Sequence, residues 1–153
     1  QSESNAASQS RVQNRAAQEM THNGPTAEAM AALALTREGF DVALPVFKQP
    51  SFDMISKWGN ALHAIQVKTG CVNLNGKTVQ WHTTKSAGGL YEEGDCSYFW
   101  LVLIPHDEIW WIPFSEVRGK PSICTNIERD ALAGYRSATG GLKKVPAEVA
   151  ATI

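Results

Sequence analysis

The 153-residue sequence predicts an α/β fold, a helix layer packed on a β-sheet. Three observations predict it. One amphipathic helical stretch leads the chain, short period-two stretches follow it, and the run from Ser97 to Pro105 is continuously apolar. Such a run reads as a strand buried on both faces, the centre of a sheet.

Gly24-Pro25-Thr26 has the composition of a helix start. Ala27, Met30, Ala31, Ala34 and Leu35 follow at helical spacing, and Gly39 closes the element. Residues Phe40 to Phe47 read as a strand, with Pro45 marking an edge or irregularity. Ser51 to Trp58 reads as a second strand and Ala61 to Thr69 as a third, joined by a turn at Gly59-Asn60. A turn at Asn73–Lys77 precedes a short strand from Lys77 to Thr83, and Ser86–Gly89 is a flexible loop. Beyond the apolar strand, Pro-His-Asp turns the chain into a partner strand, Glu108 to Pro113. Phe114 to Val117 reads as one helical turn and Asn126 to Tyr135 as a last short helix. Residues 1–23 are polar, with Arg11 and Arg15 four apart, and read as a flexible tail ahead of one domain, 24–153.

Composition narrows the function. Hydrophobic residues make up 43% and charged residues 19%, a globular balance. No apolar run approaches the roughly 20 residues of a membrane helix, and no secretory signal is visible, so a cytoplasmic, membrane-free protein is expected. Cys71, Cys96 and Cys124 are odd in number and widely spaced, which fits reduced thiols rather than a disulfide framework. His22, His63, His82 and His106 offer no zinc-ligand spacing. Net charge is -1, against non-specific coating of nucleic acid. The distribution says more. No acid stands between Asp53 and Glu92, a stretch holding Lys57, Lys68, Lys77 and Lys85. A second basic block after Asp130 holds Arg136, Lys143 and Lys144. These six cations are the candidate phosphate contacts.

The chemistry rests on polar residues set inside apolar strands: Phe52-Asp53-Met54 and Ile65-Gln66-Val67-Lys68. Strand alternation puts Gln66 and Lys68 on one face. A tight turn at Gly59-Asn60 brings Asp53 opposite that pair. A carboxylate, an amide oxygen and an ammonium would then converge. Carboxylate and carbonyl oxygens suit Mg²⁺, and a neighbouring lysine can position a nucleophile or neutralise developing charge. Weaker candidates are Glu92, Glu93 and Asp95 as a second metal site, and Trp110-Trp111 as a base-stacking pair. Ser86–Gly89 lacks the Lys-Ser/Thr ending of a phosphate loop.

Asp53 followed by Gln66-Val67-Lys68 across a hairpin resembles the PD-(D/E)XK nuclease signature. Glu28, in Gly24-Pro-Thr-Ala-Glu28, resembles the helix glutamate of the resolvase-like branch, and Gly39-Phe-Asp-Val with Pro45 resembles its first strand. The likeness runs from about Gly24 to Pro113. Group I intron homing endonucleases of this superfamily are similar in having Gln-x-Lys, a tyrosine loop like Leu90-Tyr91, and a strand start like Asp95-Cys-Ser-Tyr-Phe99. Archaeal-type Holliday-junction resolvases carry Glu where this chain has Gln66. Ser51 also departs from the motif, replacing its proline.

The resemblance implies a restriction-endonuclease-like mixed β-sheet core flanked by helices. It implies a Mg²⁺-dependent DNA endonuclease, Mn²⁺ substituting, with Asp53, Gln66, the Val67 carbonyl and Glu28 at the metal and Lys68 beside the attacking water. A junction resolvase or an inactive DNA-binding module of the same fold are the alternatives. The substrate would be double-stranded or branched DNA. A chain this small would act as a homodimer or homotetramer, with Tyr98–Ile104 and Trp110-Trp111 in the interface.

Overall fold

In the leading helical stretch the alanines recur every three or four residues, and those alanines become the contact face of a helix. In the computed structural model, which describes residues 24–49, 51–106 and 108–138, helix α1 is followed from residue 24 to residue 37. Ala27, Ala31, Ala34 and Leu35 are all buried. Small side chains let the helix axis approach the sheet closely. Gly39, at φ 84°, ends it: its N–H donates to the Thr36 carbonyl and the Phe40 N–H to the Leu35 carbonyl. This is the paired Schellman closure, which needs a left-handed residue at that point. The proposed tail 1–23 lies outside the described residues.

Among the described residues eight strands form one mixed sheet. They are β1 (Asp41–Ala43), β2 (Met54–Trp58), β3 (Ala61–Val72), β4 (Thr78–His82), β5 (Tyr98–Leu103), β6 (Glu108–Pro113), β7 (Ser122–Asn126) and β8 (Arg136–Ala138). The main path runs β1-β2-β3-β5-β6-β8. The β3–β5 pair is parallel and the other pairs antiparallel. Strand β3 changes partners along its length. Ile65 to Thr69 pair with β5, and Gly70 to Val72 pair with β4, which in turn pairs with β7. The short helix α2 spans Phe114–Val117.

The two faces of β5 seed two cores. Tyr98, Trp100 and Val102 join Met54, Trp58, Ile65, Val67, Ile109 and Trp111 under α1. Phe99, Leu101 and Leu103 join Val79, Trp81, Tyr91, Trp110, Ile112, Phe114 and Ile123 on the opposite side. Burial of β5 on both faces is therefore as its apolar run predicts.

Several expectations change. The first strand is only three residues long, because β1 is an outer strand that pairs with Ile55 to Lys57 and then leaves before Pro45. The second begins at Met54 rather than Ser51, and β3 runs on to Val72 rather than Thr69. No helix spans Asn126 to Tyr135. Asn126 ends β7, and only Ala133–Tyr135 make a 3-10 turn before β8. Asp130 drives this: its carboxylate accepts from the Leu132 N–H, the Thr125 hydroxyl and the Trp110 indole at 2.7–2.8 Å, holding a compact turn. Tyr98 to Leu103 and both tryptophans of the Trp110-Trp111 pair are buried within the single chain. They are core, one indole on each side of the sheet, and cannot form a subunit interface. No described helix is long and apolar enough to cross a membrane.

Where β3 passes from β5 to β4, Gly70 lies under the indole of Trp81. A Cβ there would meet Nε1 at 2.5 Å and Cε2 at 2.8 Å. That indole is fully buried and donates to the Val102 carbonyl at 3.1 Å, so it cannot swing aside. Gly70→Ala is expected to cost about 1–3 kcal/mol through overpacking. Urea unfolding should show a lower midpoint with an unchanged slope.

Candidate active site

The turn between β2 and β3 sets the site. Trp58 pairs with Ala61 across Gly59-Asn60, and Gly59 takes φ 57°, the left-handed conformation a two-residue hairpin requires. Counting back from that turn, Met54 pairs with Ile65. Asp53 then stands across from Gln66, and its N–H donates to the Ile65 carbonyl at 2.8 Å. Alternation sends Met54 and Ile65 toward α1 and leaves Asp53, Gln66 and Lys68 on the other face.

Asp53 Oδ2 is held twice, by the Val67 N–H at 2.7 Å and by Gln66 Nε2 at 2.6 Å. The same Nε2 approaches the Val67 carbonyl at 3.3 Å. Gln66 is 7% exposed, and its Oε1 is buried with no hydrogen-bond partner. A buried amide oxygen without a donor is costly, a state it shares with the indole nitrogens of Trp100 and Trp111 in the core. Lys68 Nζ donates to the Thr84 carbonyl at 2.9 Å and lies 5.1 Å over the Tyr91 ring. The buried Cys96 thiol lies close enough to feel both Asp53 and Lys68 and is pushed up to about 12, mainly by burial.

Glu28 enters from the first turns of α1. Its carboxyl is held above the usual range by burial first and by the Asp53 charge second. The Asp53 carboxyl is raised by burial, against the lowering pull of the Val67 N–H and the Lys68 and Lys48 charges. Burial lowers Lys68, and the Asp53 charge only partly restores it. Three ionisable groups are thus crowded where water is scarce, each disfavoured in its charged form.

Two clefts meet at Glu28. One, of 370 Å³, is walled by Glu28, Asp53, Phe52, Leu44, Pro45 and Lys48. The other, of 450 Å³, is walled by Glu28, Val67, Lys68, Gly70, His82 and Thr84. Lys48 was not among the sequence candidates. It sits outside the acid-free blocks, in the β1–β2 loop, yet its charge reaches Glu28, Asp53 and Lys68. A signal was available, since it lies five residues before Asp53 in a segment that must return the chain to the site.

The six predicted phosphate contacts are scattered. Lys57 is exposed on β2, on the Asp53 face but four residues along. Lys77 pairs with Glu128 at 3.0 Å, and Lys85 with Asp95 at 2.6 Å. Arg136 is tied to Glu108 and stacks over Trp110. Lys143 and Lys144 lie outside the described residues. Among the three acids considered for a second metal, Asp95 also accepts the Glu92 N–H, and Glu93 pairs with Arg118. Among the described residues no group of three His, Cys, Asp or Glu side chains is placed to hold a metal ion. A cation at Asp53 would draw on two carboxylates, Asp53 and Glu28, with the Val67 carbonyl; the Gln66 amide turns its nitrogen toward Asp53 and the Val67 carbonyl, so its Oε1 would join them only after the amide rotates. That all-oxygen set fits a hard divalent ion such as Mg²⁺.

Comparison with known proteins bears on this geometry. The family model described as PD-(D/E)XK endonuclease matches residues 18–132. The structure of a bacterial homing endonuclease, I-Ssp6803I, superposes with a TM-score of 0.63 at 16% identity, covering 74% of this chain and 83% of that one. This likeness establishes a shared restriction-endonuclease-like fold. A search of curated proteins finds no match.

The charge crowding predicts a pH-dependent stability. A carboxyl whose pKa is raised on folding favours the native state at low pH, and that advantage is lost as pH rises through the native pKa. Asp53→Asn keeps an oxygen for the Val67 N–H and removes the buried charge. The variant should therefore exceed the parent at pH 7 by about 0.5–2 kcal/mol, the gain usual when an active-site constraint is relieved. The gain should shrink as pH falls below the carboxylate range. Urea titrations in EDTA at pH 4 and pH 7 measure both numbers.

Proposed function

This chain belongs to the PD-(D/E)XK endonuclease family, and from that premise we propose that it is a Mg²⁺-dependent endodeoxyribonuclease of the homing-endonuclease type. The observation that carries the reading is the convergence of Asp53 and Lys68 on one sheet face. Asp53 is locked by the Val67 N–H and by the Gln66 amide nitrogen, and Glu28 shares the cleft.

Asp53, Glu28, the Val67 carbonyl and Gln66 Oε1 are the residues that would hold Mg²⁺, or Mn²⁺ in its place. The ion supplies positive charge against the charge that builds on phosphate oxygens during hydrolysis. The remaining work falls to the chain itself. Lys68 is anchored at Thr84, which leaves two N–H donors for a phosphate oxygen or for the attacking water. Its depressed pKa lets it exchange a proton more readily than a surface lysine. The Tyr91 ring and Cys96 close the floor behind it, and a drier floor strengthens each of these interactions. Lys48 offers a further cation at the mouth.

Cutting both strands of a duplex calls for two such sites, so the working form is a symmetric dimer or tetramer. Its interface must lie outside β5 and β6. The neutral Gln66 favours a second reading, a binding module of the same fold with weakened metal affinity. Branched DNA as substrate is a variation on the first.

Cleavage of supercoiled plasmid and of a four-way junction, each with Mg²⁺ and with EDTA, tests the proposal. Metal-dependent nicking is expected, and Lys68→Ala should slow it by about 10²–10³-fold, the usual loss when one charge-stabilising donor is removed. Binding of DNA without cleavage of either substrate would support the module reading. Thermal unfolding gives an independent measure. At a Mg²⁺ concentration ten times its dissociation constant, the midpoint should rise by the equivalent of about 1.4 kcal/mol at pH 8. The rise should be smaller at pH 5, because protons compete for the raised carboxyls of Asp53 and Glu28, and absent in Asp53→Asn.

A further inference from the structure

The β1–β2 loop carries an exposed apolar tip that nothing among the described residues covers. Leu44 is 63% exposed, Val46 91% and Phe47 79%. Elsewhere the large exposed apolar side chains stand singly; here three fall within four residues. The tip is also not remote. Leu44, Pro45 and Lys48 form one wall of the cleft whose other wall is Glu28 and Asp53. A polymer that brings a phosphate to Asp53 must lie against this rim. Lys48 follows the tip directly and faces the carboxylates closely enough for its charge to be felt by both.

Two occupants could cover such a tip. A second copy of the chain is a poor fit, because three side chains on one loop fall far short of the roughly 800 Å² per partner of a stable interface. Duplex DNA fits better. It meets apolar side chains at base steps and cations at phosphates, and this loop offers the two in adjacent positions. Wedges of Phe, Leu, Ile or Met pushed between base steps unstack and kink a duplex.

We propose that the Leu44–Lys48 loop is a DNA wedge: Val46 and Phe47 insert at a base step beside the cleft while Lys48 holds the flanking phosphate. This rests on the nuclease reading. It adds a consequence for that reading, since prying the step open would bring the adjoining phosphate down to Asp53 and Lys68. The side chains make no base-specific hydrogen bonds, so the distortion should occur on any duplex, favouring the flexible pyrimidine–purine steps.

The test uses closed circular plasmid bound by the Lys68→Ala protein in EDTA and relaxed with a metal-independent topoisomerase. Insertion untwists the duplex, so the topoisomer ladder should shift by whole bands in proportion to bound protein. Adding Val46→Ser and Phe47→Ser should abolish the shift. Affinity for a fluorescent 30-base-pair duplex should fall by no more than about tenfold, with an unchanged salt slope, because phosphate contacts set that slope. Both positions are exposed, so the variant should unfold at the parent's temperature, which checks that the fold is intact. Equal unwinding by the two proteins, or binding without unwinding, overturns the wedge and leaves the nuclease reading standing. A parent that binds no duplex at low salt overturns both. Loss of self-association in sedimentation, with unwinding unchanged, overturns the wedge in favour of a subunit contact.

Discussion

The pairing of Met54 with Ile65 is the constraint on which the site depends. It follows from a two-residue turn whose first position is a left-handed glycine. With that register, the Asp53 carboxylate meets the Val67 N–H at 2.7 Å, and Gln66 and Lys68 share its face. Side chains alternate with period two, so a slip of one residue would turn Gln66 and Lys68 into the core under α1 and put Ile65 and Val67 on the Asp53 face. The apolar demand of that core therefore protects the register. Ile65 and Val67 are buried against α1, and any slip would exchange them for a buried amide and ammonium. The geometry of the candidate site is thus enforced by packing on the opposite side of the sheet.

The same arrangement is electrostatically uncomfortable, and the discomfort is local. Elsewhere the described acids find ordinary solutions: Asp95 pairs with Lys85, Asp130 caps a turn, and Glu108 meets Arg136. At the site the two carboxyls are raised and the lysine is lowered, each chiefly by burial. A fold selected only for stability would have no use for this. Protein sites that must bind or transform charge characteristically hold their groups in this unrelieved state. The unpartnered Gln66 oxygen belongs to the same pattern.

How much of this can be read from residues alone follows from range. Asp53, Gln66 and Lys68 are legible because alternation within two strands and one turn is local information. The double burial of β5 is legible from an unbroken apolar run. What fails is set by contacts far along the chain. Asn126 to Tyr135 has helical composition, but Asp130 ties it to Thr125 and Trp110, and its flanks are claimed by β4 and β6. The partner change along β3 depends on Gly70 lying beneath Trp81, eleven positions away. The basic residues were grouped by the absence of acids nearby in sequence. Lys77, Lys85 and Arg136 meet their acids across strands and loops. Lys48 shows the converse, since the residues just before it in sequence are apolar and its neighbours in space are the site.

Gln66 is also the point at which sequence pattern and physical requirement can be weighed against each other. A carboxylate there would be nearly buried and in contact with Asp53, whose oxygen now lies 2.6 Å from the amide nitrogen. Glu28 is already raised in part by the Asp53 charge. A third acid would raise all three further, and without a cation one of them would take up a proton. An amide avoids this. With nitrogen toward Asp53 it donates a hydrogen bond to the carboxylate without adding charge, and rotation of the amide would offer an oxygen in its place. In the proposed metal-dependent reading the cost would be a weaker pull on a divalent ion, offset by the nearness of Asp53 and Glu28 and by the Val67 N–H that holds Asp53 in place. Neutrality at position 66 is therefore compatible with the proposed metal site, where it would shift the burden of affinity onto the α1 glutamate. That makes the seating of α1 on the sheet, through Ala27, Ala31 and Leu35, part of the chemistry as well as part of the fold.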